Sequence, residues 1–209
     1  MNIQDFLQAH WLDITTTVLG LQYIIFELRA SLWMWFCGFV MQVLGIVLYY
    51  QKGLYADCGM EFYYMAMTVY GFVCWRFGHS RHKRNGALAI THFPRRLILP
   101  WVIGMVALWG GIYWLLITLT DSTVPLADSF TTALSVLGIW ALAHKYVEQW
   151  LFWIAVDVVS CYLYFLKDIP FKGSLYGLYV CIAVAGLVRW SRQAVPSTSA
   201  AGGASGAEA

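Results

Sequence analysis

The chain has 209 residues, of which 60% are hydrophobic and 11% are charged, and its formal net charge is +2. Soluble domains contain about a quarter charged residues, so this composition excludes an ordinary soluble protein. A bilayer is crossed by roughly 20 apolar residues, and the chain has room for seven such segments without a separate soluble domain. We therefore predict an all-α polytopic membrane protein that resides in a lipid bilayer.

Seven apolar segments follow one another along the chain. The predicted transmembrane spans are residues 11–28, 31–50, 56–77, 97–119, 125–143, 148–167 and 172–190. Together they form a single transmembrane domain, residues 1–193. The remaining residues, 194–209, are small and polar, which predicts a disordered tail.

The connection from Arg76 to Arg96 is the longest and is rich in arginine, lysine and histidine. A basic cluster can bind nucleic acid, but between two spans it is typical of a cytoplasmic loop. With this loop inside, ten of the 13 lysine and arginine residues lie on the same side. We therefore predict no nucleic-acid partner, an N-terminus outside the membrane and a cytoplasmic C-terminus.

The sequence repeats itself at a constant offset of 115 residues. The offset pairs Asp13 with Asp128, Trp35 with Trp150, Tyr49 with Tyr164, Tyr64 with Tyr179, Gly71 with Gly186 and Trp75 with Trp190. Repeat one (residues 11–77) and repeat two (residues 125–190) are joined by a connector span, residues 97–119. Because the copies start four spans apart, they have the same orientation, and we predict a 3+1+3 parallel repeat. Parallel repeats enclose a central path in carriers, which favours a transporter over a receptor or an enzyme.

The sixth span contains the most informative polar residue. Trp150, Trp153 and Asp157 share one face of a helix. An ionisable residue at mid-span costs about 2.5 to 3.5 kcal/mol, so Asp157 indicates function. Two indoles beside a carboxylate suit a flat cationic heteroaromatic ring. The alternatives are an interfacial aromatic belt for the tryptophans and a structural hydrogen bond for Asp157.

The equivalent positions of repeat one are different in size and charge. They are Trp35, Gly38 and Gln42, so this half has a gap at the glycine and a neutral amide at the third position. Such asymmetry is expected around an asymmetric ligand, and we predict that Trp35 and Gln42 contribute to its binding. Glu61 of the third span is a further candidate contact, unless its carboxylate simply reaches the lipid headgroups.

Motifs that indicate catalysis, nucleotide binding or metal binding are missing from the sequence. It contains no zinc-protease helix motif, no nucleophile elbow, no phosphate-binding glycine loop and no dinucleotide fingerprint. We predict that the protein is not an enzyme and needs neither a metal nor a cofactor.

The run HKYVEQWLFWIAVDVVS at residues 144–160 resembles the signature of PnuC-type vitamin transporters. YGFVCW (70–75), GLYAD (53–57) and DSFTTALSVLG (128–138) are similar to that family too. The resemblance implies a homotrimer of seven-span subunits in the bacterial inner membrane. It also implies facilitated diffusion of nicotinamide riboside, made one-way by a cytosolic kinase. Trp150 and Trp153 would stack on the ligand, and residue 157 would make a polar contact.

Two positions depart from the pattern of nicotinamide riboside carriers, which have Asn in place of Asp157 and Gln in place of Glu61. Thiamine, which some relatives carry, combines a cationic thiazolium with an aminopyrimidine that a carboxylate can engage. We therefore predict nicotinamide riboside as the family default, with thiamine as the alternative. From a different class, a small-molecule-binding membrane subunit that does not transport would use the basic loop, residues 76–96, for docking. An intramembrane enzyme acting through Asp157 lacks a second catalytic group.

Overall fold

The computed structural model describes residues 15, 18–51, 55–77, 83–84, 87–120, 124–166 and 170–195. Within them it has seven helices: α1 (Val18–Leu28), α2 (Trp33–Gln51), α3 (Tyr55–Phe77), α4 (Ile98–Leu119), α5 (Pro125–Ala143), α6 (Gln149–Leu166) and α7 (Pro170–Gln193). The predicted helical fold is confirmed, and each helix from α2 to α7 begins and ends within a few residues of its predicted span. The start of the first span, residues 11–14 and 16–17, lies outside the described residues.

Five helices, α2 and α4 to α7, are long and apolar enough to cross a membrane. α3 has 23 residues, but its sequence includes Asp57, Glu61 and Arg76, which lower its hydropathy. α4 has the fewest buried residues of the five and exposes large apolar side chains such as Ile103 and Trp114. An apolar surface of this kind is what lipid or another membrane protein covers.

The chain divides into two compact units, which are described separately. Unit 1 comprises residues 1–88 and 142–144, and unit 2 comprises residues 89–141 and 145–209. In unit 1, α2 packs along α3. In unit 2, α6 packs along α7, and a further apolar cluster joins α4, α5 and α6.

A tryptophan sandwich holds α2 against α3 in unit 1. The Trp35 indole lies directly over Gly71, where a Cβ atom would overlap the ring. The edge of the Trp75 ring meets Trp35 with centroids 5.3 Å apart and planes at 88°. Both indoles are buried, with 1% of their surface exposed. A glycine is required here because only a missing side chain lets the bulky ring approach the backbone.

The same three residue types make the same contact in unit 2. Trp150 of α6 lies over Gly186 of α7, where a Cβ atom would come within 2.6 Å of the indole. Trp190 meets it edge-on, with centroids 5.6 Å apart and planes at 88°. Each residue is 115 positions after its counterpart in unit 1. The offset found in the sequence therefore matches equivalent packing in the two units.

Equivalent helix ends also recur at this offset. Ala30, after α1, has φ 50°, and Lys145, after α5, has φ 55°. In both turns the next residue donates a backbone hydrogen bond that closes the helix end: Ser31 N to Phe26 O at 2.9 Å and Tyr146 N to Ala141 O at 3.1 Å. This is the 6→1 bond of a helix ending in the left-handed conformation, where glycine is the usual residue.

Short extended segments lie within the predicted basic loop, residues 76–96. β1 (Lys83–Arg84) and β2 (Ala87–Leu88) form a two-residue antiparallel hairpin in unit 1. In unit 2, Thr91 bridges both Tyr146 and Val195 in parallel fashion, and Val195 N donates to Ile90 O at 2.9 Å. Val195 is the second residue of the predicted tail, whose remainder, residues 196–209, lies outside the described residues.

Candidate functional site

α6 carries Trp150, Trp153 and Asp157, and the two indole rings pack on different helices. Trp150 is 3% exposed and packs against α7 as described above. Trp153 is half-buried and turns towards α5, where a Cβ on Gly138 would lie 3.8 Å from its Cζ2 atom. Asp157, one turn after Trp153, is 9% exposed. Both indoles therefore pack on neighbouring helices, Trp150 on α7 and Trp153 against α5 and the apolar cluster of α4, α5 and α6.

The indole nitrogen of Trp153 is enclosed without a hydrogen-bond partner among the residues that the structure describes. Leaving a buried donor unpaired costs about 1 to 3 kcal/mol. An acceptor supplied by a ligand removes that cost. Trp153 thus has both a ring for stacking and a donor for orientation.

The Asp157 carboxylate receives no hydrogen bond or ion pair from the other described residues. It lies within electrostatic reach of two phenols of α7, Tyr176 and Tyr179. Tyr164, two turns further along α6, stacks on Tyr176 with centroids 5.2 Å apart and planes at 25°. A buried carboxylate is costly in a membrane-spanning helix, which makes Asp157 a candidate ligand contact.

The sequence analysis did not identify these tyrosines as site residues. One signal was available, because Tyr164 is seven residues after Asp157 and so lies on the same helical face. The α7 residues are brought close by a small-residue stripe. A Cβ on Gly173 would lie 2.8 Å from the Phe165 ring, and one on Gly177 would lie 3.8 Å from Cys161 Sγ. Glycines four residues apart let two membrane helices approach closely.

In unit 1, the space predicted at Gly38 is filled. A Cβ on Gly38 would lie 3.3 Å from Cε2 of Tyr23 in α1 and 3.6 Å from Cγ2 of Thr68 in α3. The expected gap is therefore closed by the Tyr23 ring, which sequence spacing gave no reason to place there. The neighbouring Gln42 keeps an enclosed side-chain oxygen without a hydrogen-bond partner in the described part of the chain.

Glu61 and Trp35, the other two residues predicted in repeat one, both face helix–helix contacts in unit 1. Glu61 is half-buried, and a Cβ on Gly45 of α2 would lie 2.8 Å from its carboxyl carbon. It also interacts electrostatically with Tyr64, one turn along α3. Trp35 belongs to the tryptophan sandwich and is 1% exposed. Their predicted contacts with a ligand stay predictions.

The 144–160 run also contains structural residues near the start of α6. Glu148 Oε2 accepts a hydrogen bond from Phe93 N at 2.7 Å, and Oε1 pairs with His92 Nδ1 at 2.9 Å. Lys145 is 6% exposed, and burial lowers the pKa of its ammonium group to about 8. The pKa of Tyr146 is raised, first by burial and then by the negative charge of Glu148. This end of unit 2 anchors the segment before α4.

Residues 10–192 match the protein family described as nicotinamide mononucleotide transporter. The chain belongs to this family. The match covers most of the sequence, and it confirms the resemblance to PnuC-type proteins that the 144–160 run predicted. Members of the nicotinamide mononucleotide transporter family are vitamin transporters of the membrane, and this chain is accordingly a multi-pass membrane protein.

Three named relatives are similar over 72% to 86% of their own length. The nicotinamide riboside transporter PnuC of Escherichia coli is 23% identical, over 88% of this chain and 86% of its own. The riboflavin/roseoflavin transporter RibM of Streptomyces davaonensis is 27% identical, over 86% of this chain and 84% of its own. The nicotinamide riboside transporter PnuC of Neisseria mucosa is 24% identical, over 87% of this chain and 72% of its own.

The fold is that of a solved vitamin B3 transporter, PnuC. Its crystal structure superposes with a TM-score of 0.69 and 22% sequence identity, covering 90% of this chain and 83% of that one. The all-helical membrane architecture is therefore shared.

Proposed function

We propose that the protein carries a cationic, flat-ringed vitamin across the bacterial inner membrane, with nicotinamide riboside as the first candidate. The observation that carries the proposal is the pair formed by Trp153 and Asp157. A half-buried indole with an unpaired N–H stands one turn before a buried carboxylate without a hydrogen bond from the described residues. Stacking and cation–π attraction suit a pyridinium ring, and the carboxylate balances its charge.

The remaining predicted residues have different parts in this proposal. The faces of Trp150 and Trp35 are covered by their glycine and tryptophan neighbours, so we propose that they support the site by holding helices together. Gln42, whose amide oxygen has no hydrogen-bond partner among the described residues, and Glu61 are proposed as further ligand contacts. Each offers hydrogen-bond acceptors that a cationic vitamin with amide or hydroxyl groups can use.

Transport is proposed to be facilitated diffusion, made one-way by cytosolic phosphorylation of the vitamin. The sequence has no nucleotide-binding fingerprint of its own that would couple transport to ATP hydrolysis. We further propose a homotrimer, which the family resemblance implies. We also propose that the N-terminus lies outside and the C-terminus in the cytoplasm, because most lysine and arginine residues then face inward.

Thiamine is the second candidate, and the two carboxylates favour it. Asp157 and Glu61 add negative charge where the family resemblance implies amides for nicotinamide riboside carriers. A thiazolium paired with an aminopyrimidine engages both charge and hydrogen bonds. Riboflavin is uncharged, so neither carboxylate favours it over the two cationic vitamins.

Equilibrium binding of nicotinamide riboside, thiamine and riboflavin to the purified protein tests the proposal. Trp153→Ala is expected to weaken binding of the preferred vitamin tenfold or more, since ring stacking contributes about 1 to 3 kcal/mol. Asp157→Ala is expected to weaken binding of a cationic vitamin by roughly tenfold, because it removes both the charge and the hydrogen-bond acceptor. Trp114→Ala on α4, whose indole is 65% exposed, is the matched control and should bind normally.

If both site variants bind every vitamin as tightly as the wild type, the proposed site is wrong. Liposomes that contain this protein alone then test transport itself. Uptake down a vitamin gradient supports a carrier, whereas binding without uptake identifies a non-transporting subunit. Concentrative uptake driven by a pH gradient would replace facilitated diffusion with proton coupling.

A further inference from the structure

A cluster of three tyrosines lies next to the Asp157 carboxylate in unit 2. Tyr164 comes from α6, and Tyr176 and Tyr179 come from α7. Tyr176 stacks on Tyr164 with centroids 5.2 Å apart, and Tyr179 meets Tyr176 edge-on at 5.7 Å. All three rings are half-buried, and the hydroxyl groups of Tyr164 and Tyr176 are hydrogen-bonded to each other.

The ring arrangement decides what this cluster can bind. Tyr164 covers one face of Tyr176, and the rings of Tyr176 and Tyr179 meet edge to face. Tyr176 and Tyr179 both interact electrostatically with the Asp157 carboxylate. A phenol both donates and accepts a hydrogen bond, and a carboxylate accepts several. Together they match neighbouring hydroxyl groups on one ligand, which also donate and accept.

The tyrosine cluster and Trp153, the residue proposed to stack on the vitamin ring, lie at different levels along α6. Trp153 is one turn before Asp157, whereas Tyr164 is two turns after it, a distance of about 10 Å at 1.5 Å per residue. Asp157 therefore lies between an indole and a group of phenols. A ligand that has a flat ring at one end and hydroxyl groups at the other fits this order.

We propose that Asp157, Tyr176 and Tyr179 bind the hydroxyl-bearing part of the vitamin, a pentose or an open polyol chain. The inference rests on the proposed function and deepens it, because it selects vitamins that carry such a group over those that have only ring systems. Tyr164 is a positioning residue, since its hydroxyl holds that of Tyr176. The repeat does not offer the same cluster twice, because the counterpart of Tyr176 in unit 1 is Glu61.

A double-mutant cycle tests this subsite: hydroxyl groups are removed from the protein and from the ligand, separately and together, and binding is measured each time. The ligands are nicotinamide riboside and its 2′-deoxy and 3′-deoxy analogues, and the variants are Tyr176→Phe and Tyr179→Phe, which keep the ring. At least one variant is expected to lower the binding affinity for nicotinamide riboside roughly three- to tenfold, which corresponds to one net hydrogen bond. For the analogue that lacks the contacting hydroxyl, the same variant should lower the binding affinity by less than about twofold. Tyr162→Phe on α6, whose ring is 64% exposed, is the control and should change none of the three.

Equal losses for all three ligands, or no loss for any, would overturn the subsite. Trp153→Ala is expected to lower the binding affinity for all three ligands by the same factor. If it does not, the ring site of the proposed function fails, while the tyrosine result is judged independently. If the wild-type protein binds thiamine but none of the three ribosides, the hydroxyl subsite is wrong and vitamin transport stands.

Discussion

Units 1 and 2 share a framework but exchange large and small residues within it. In unit 1 the Tyr23 ring of α1 packs on Gly38 of α2. In unit 2, at the same offset of 115 residues, Gly138 of α5 packs beside Trp153 of α6. The aromatic residue is therefore on the first helix of the pair in unit 1 (α1) and on the second in unit 2 (α6), and the glycine is on the other helix in each unit. One ring fills the space at this level of each helix pair, and either helix can supply it.

Charge is exchanged between helices in the same way. In unit 2, Asp157 of α6 interacts electrostatically with Tyr176 of α7, whereas the corresponding residues of unit 1 are Gln42 of α2 and Glu61 of α3. Each unit therefore has one carboxylate in this set of positions, on different helices. The Trp–Gly–Trp sandwich is left unchanged in both units, which indicates that it holds the helices together while these positions vary.

The sandwich glycines should give the largest effect. Gly71→Ala and Gly186→Ala each push a methyl group into a buried indole, and overpacking of this kind costs about 1 to 3 kcal/mol. Thermal unfolding of the detergent-solubilised protein measures the loss. Gly110→Ala in α4, where a Cβ meets nothing within 4 Å, is the control and should lose no stability. If only one sandwich is sensitive, the two units are not packed equivalently.

The ring exchange is tested by giving unit 1 the pattern of unit 2. Gly38→Trp alone should destabilise because the new indole meets the Tyr23 ring. Adding Tyr23→Gly should recover part of that loss, with a coupling of about 1 to 2 kcal/mol for side chains in contact. Unfolding of the wild type, both single variants and the double variant gives the coupling. Strictly additive losses would show that the two positions do not compensate.

Lys145 distinguishes the α5–α6 turn from the α1–α2 turn, where the counterpart is Ala30. Burial lowers the folded-state pKa of Lys145 to about 8 from an ordinary 10.5. Between these values the unfolded chain binds a proton that the folded protein does not, so stability should rise with pH, by roughly 1 kcal/mol per pH unit or less. Melting curves from pH 7 to 10.5 should show this rise in the wild type, and Lys145→Met should flatten it. A variant with an unchanged slope would show that other groups cause the pH dependence.

The smallest effect is expected at the left-handed residues themselves. Ala30 has φ 50°, a conformation that glycine adopts without strain. Ala30→Gly should therefore raise the free energy of unfolding by up to about 1 kcal/mol. Ala30→Val, which adds a β-branched side chain in the same conformation, should lower it. A stability loss in the glycine variant would mean that the Ala30 side chain contributes packing that outweighs the backbone strain.

Much of the fold follows from local pattern. The helix boundaries, the membrane environment and the 115-residue offset were predictable because each depends on hydropathy or on residue identity along the chain. The prediction that Trp35 and Trp150 are equivalent also holds in their packing. The ring in front of Gly38 was not predictable, because Tyr23 comes from another helix and its direction depends on how α1 and α2 pack. Tyr176 and Tyr179 were missed for the same reason, since they reach Asp157 from α7.

Composition and motif were enough to predict a multi-pass helical member of a vitamin transporter family, because the long apolar segments and the 144–160 run can be read directly from the chain. The packing partners of the two indoles of α6 depended instead on tertiary contacts. Trp150 and Trp153 are equivalent as aromatic residues on one helix, but Gly186 of α7 admits the first ring, and Gly138 of α5 lies beside the second. The physical reason is that close contact between helices depends on small residues far apart in the chain, which no local pattern connects.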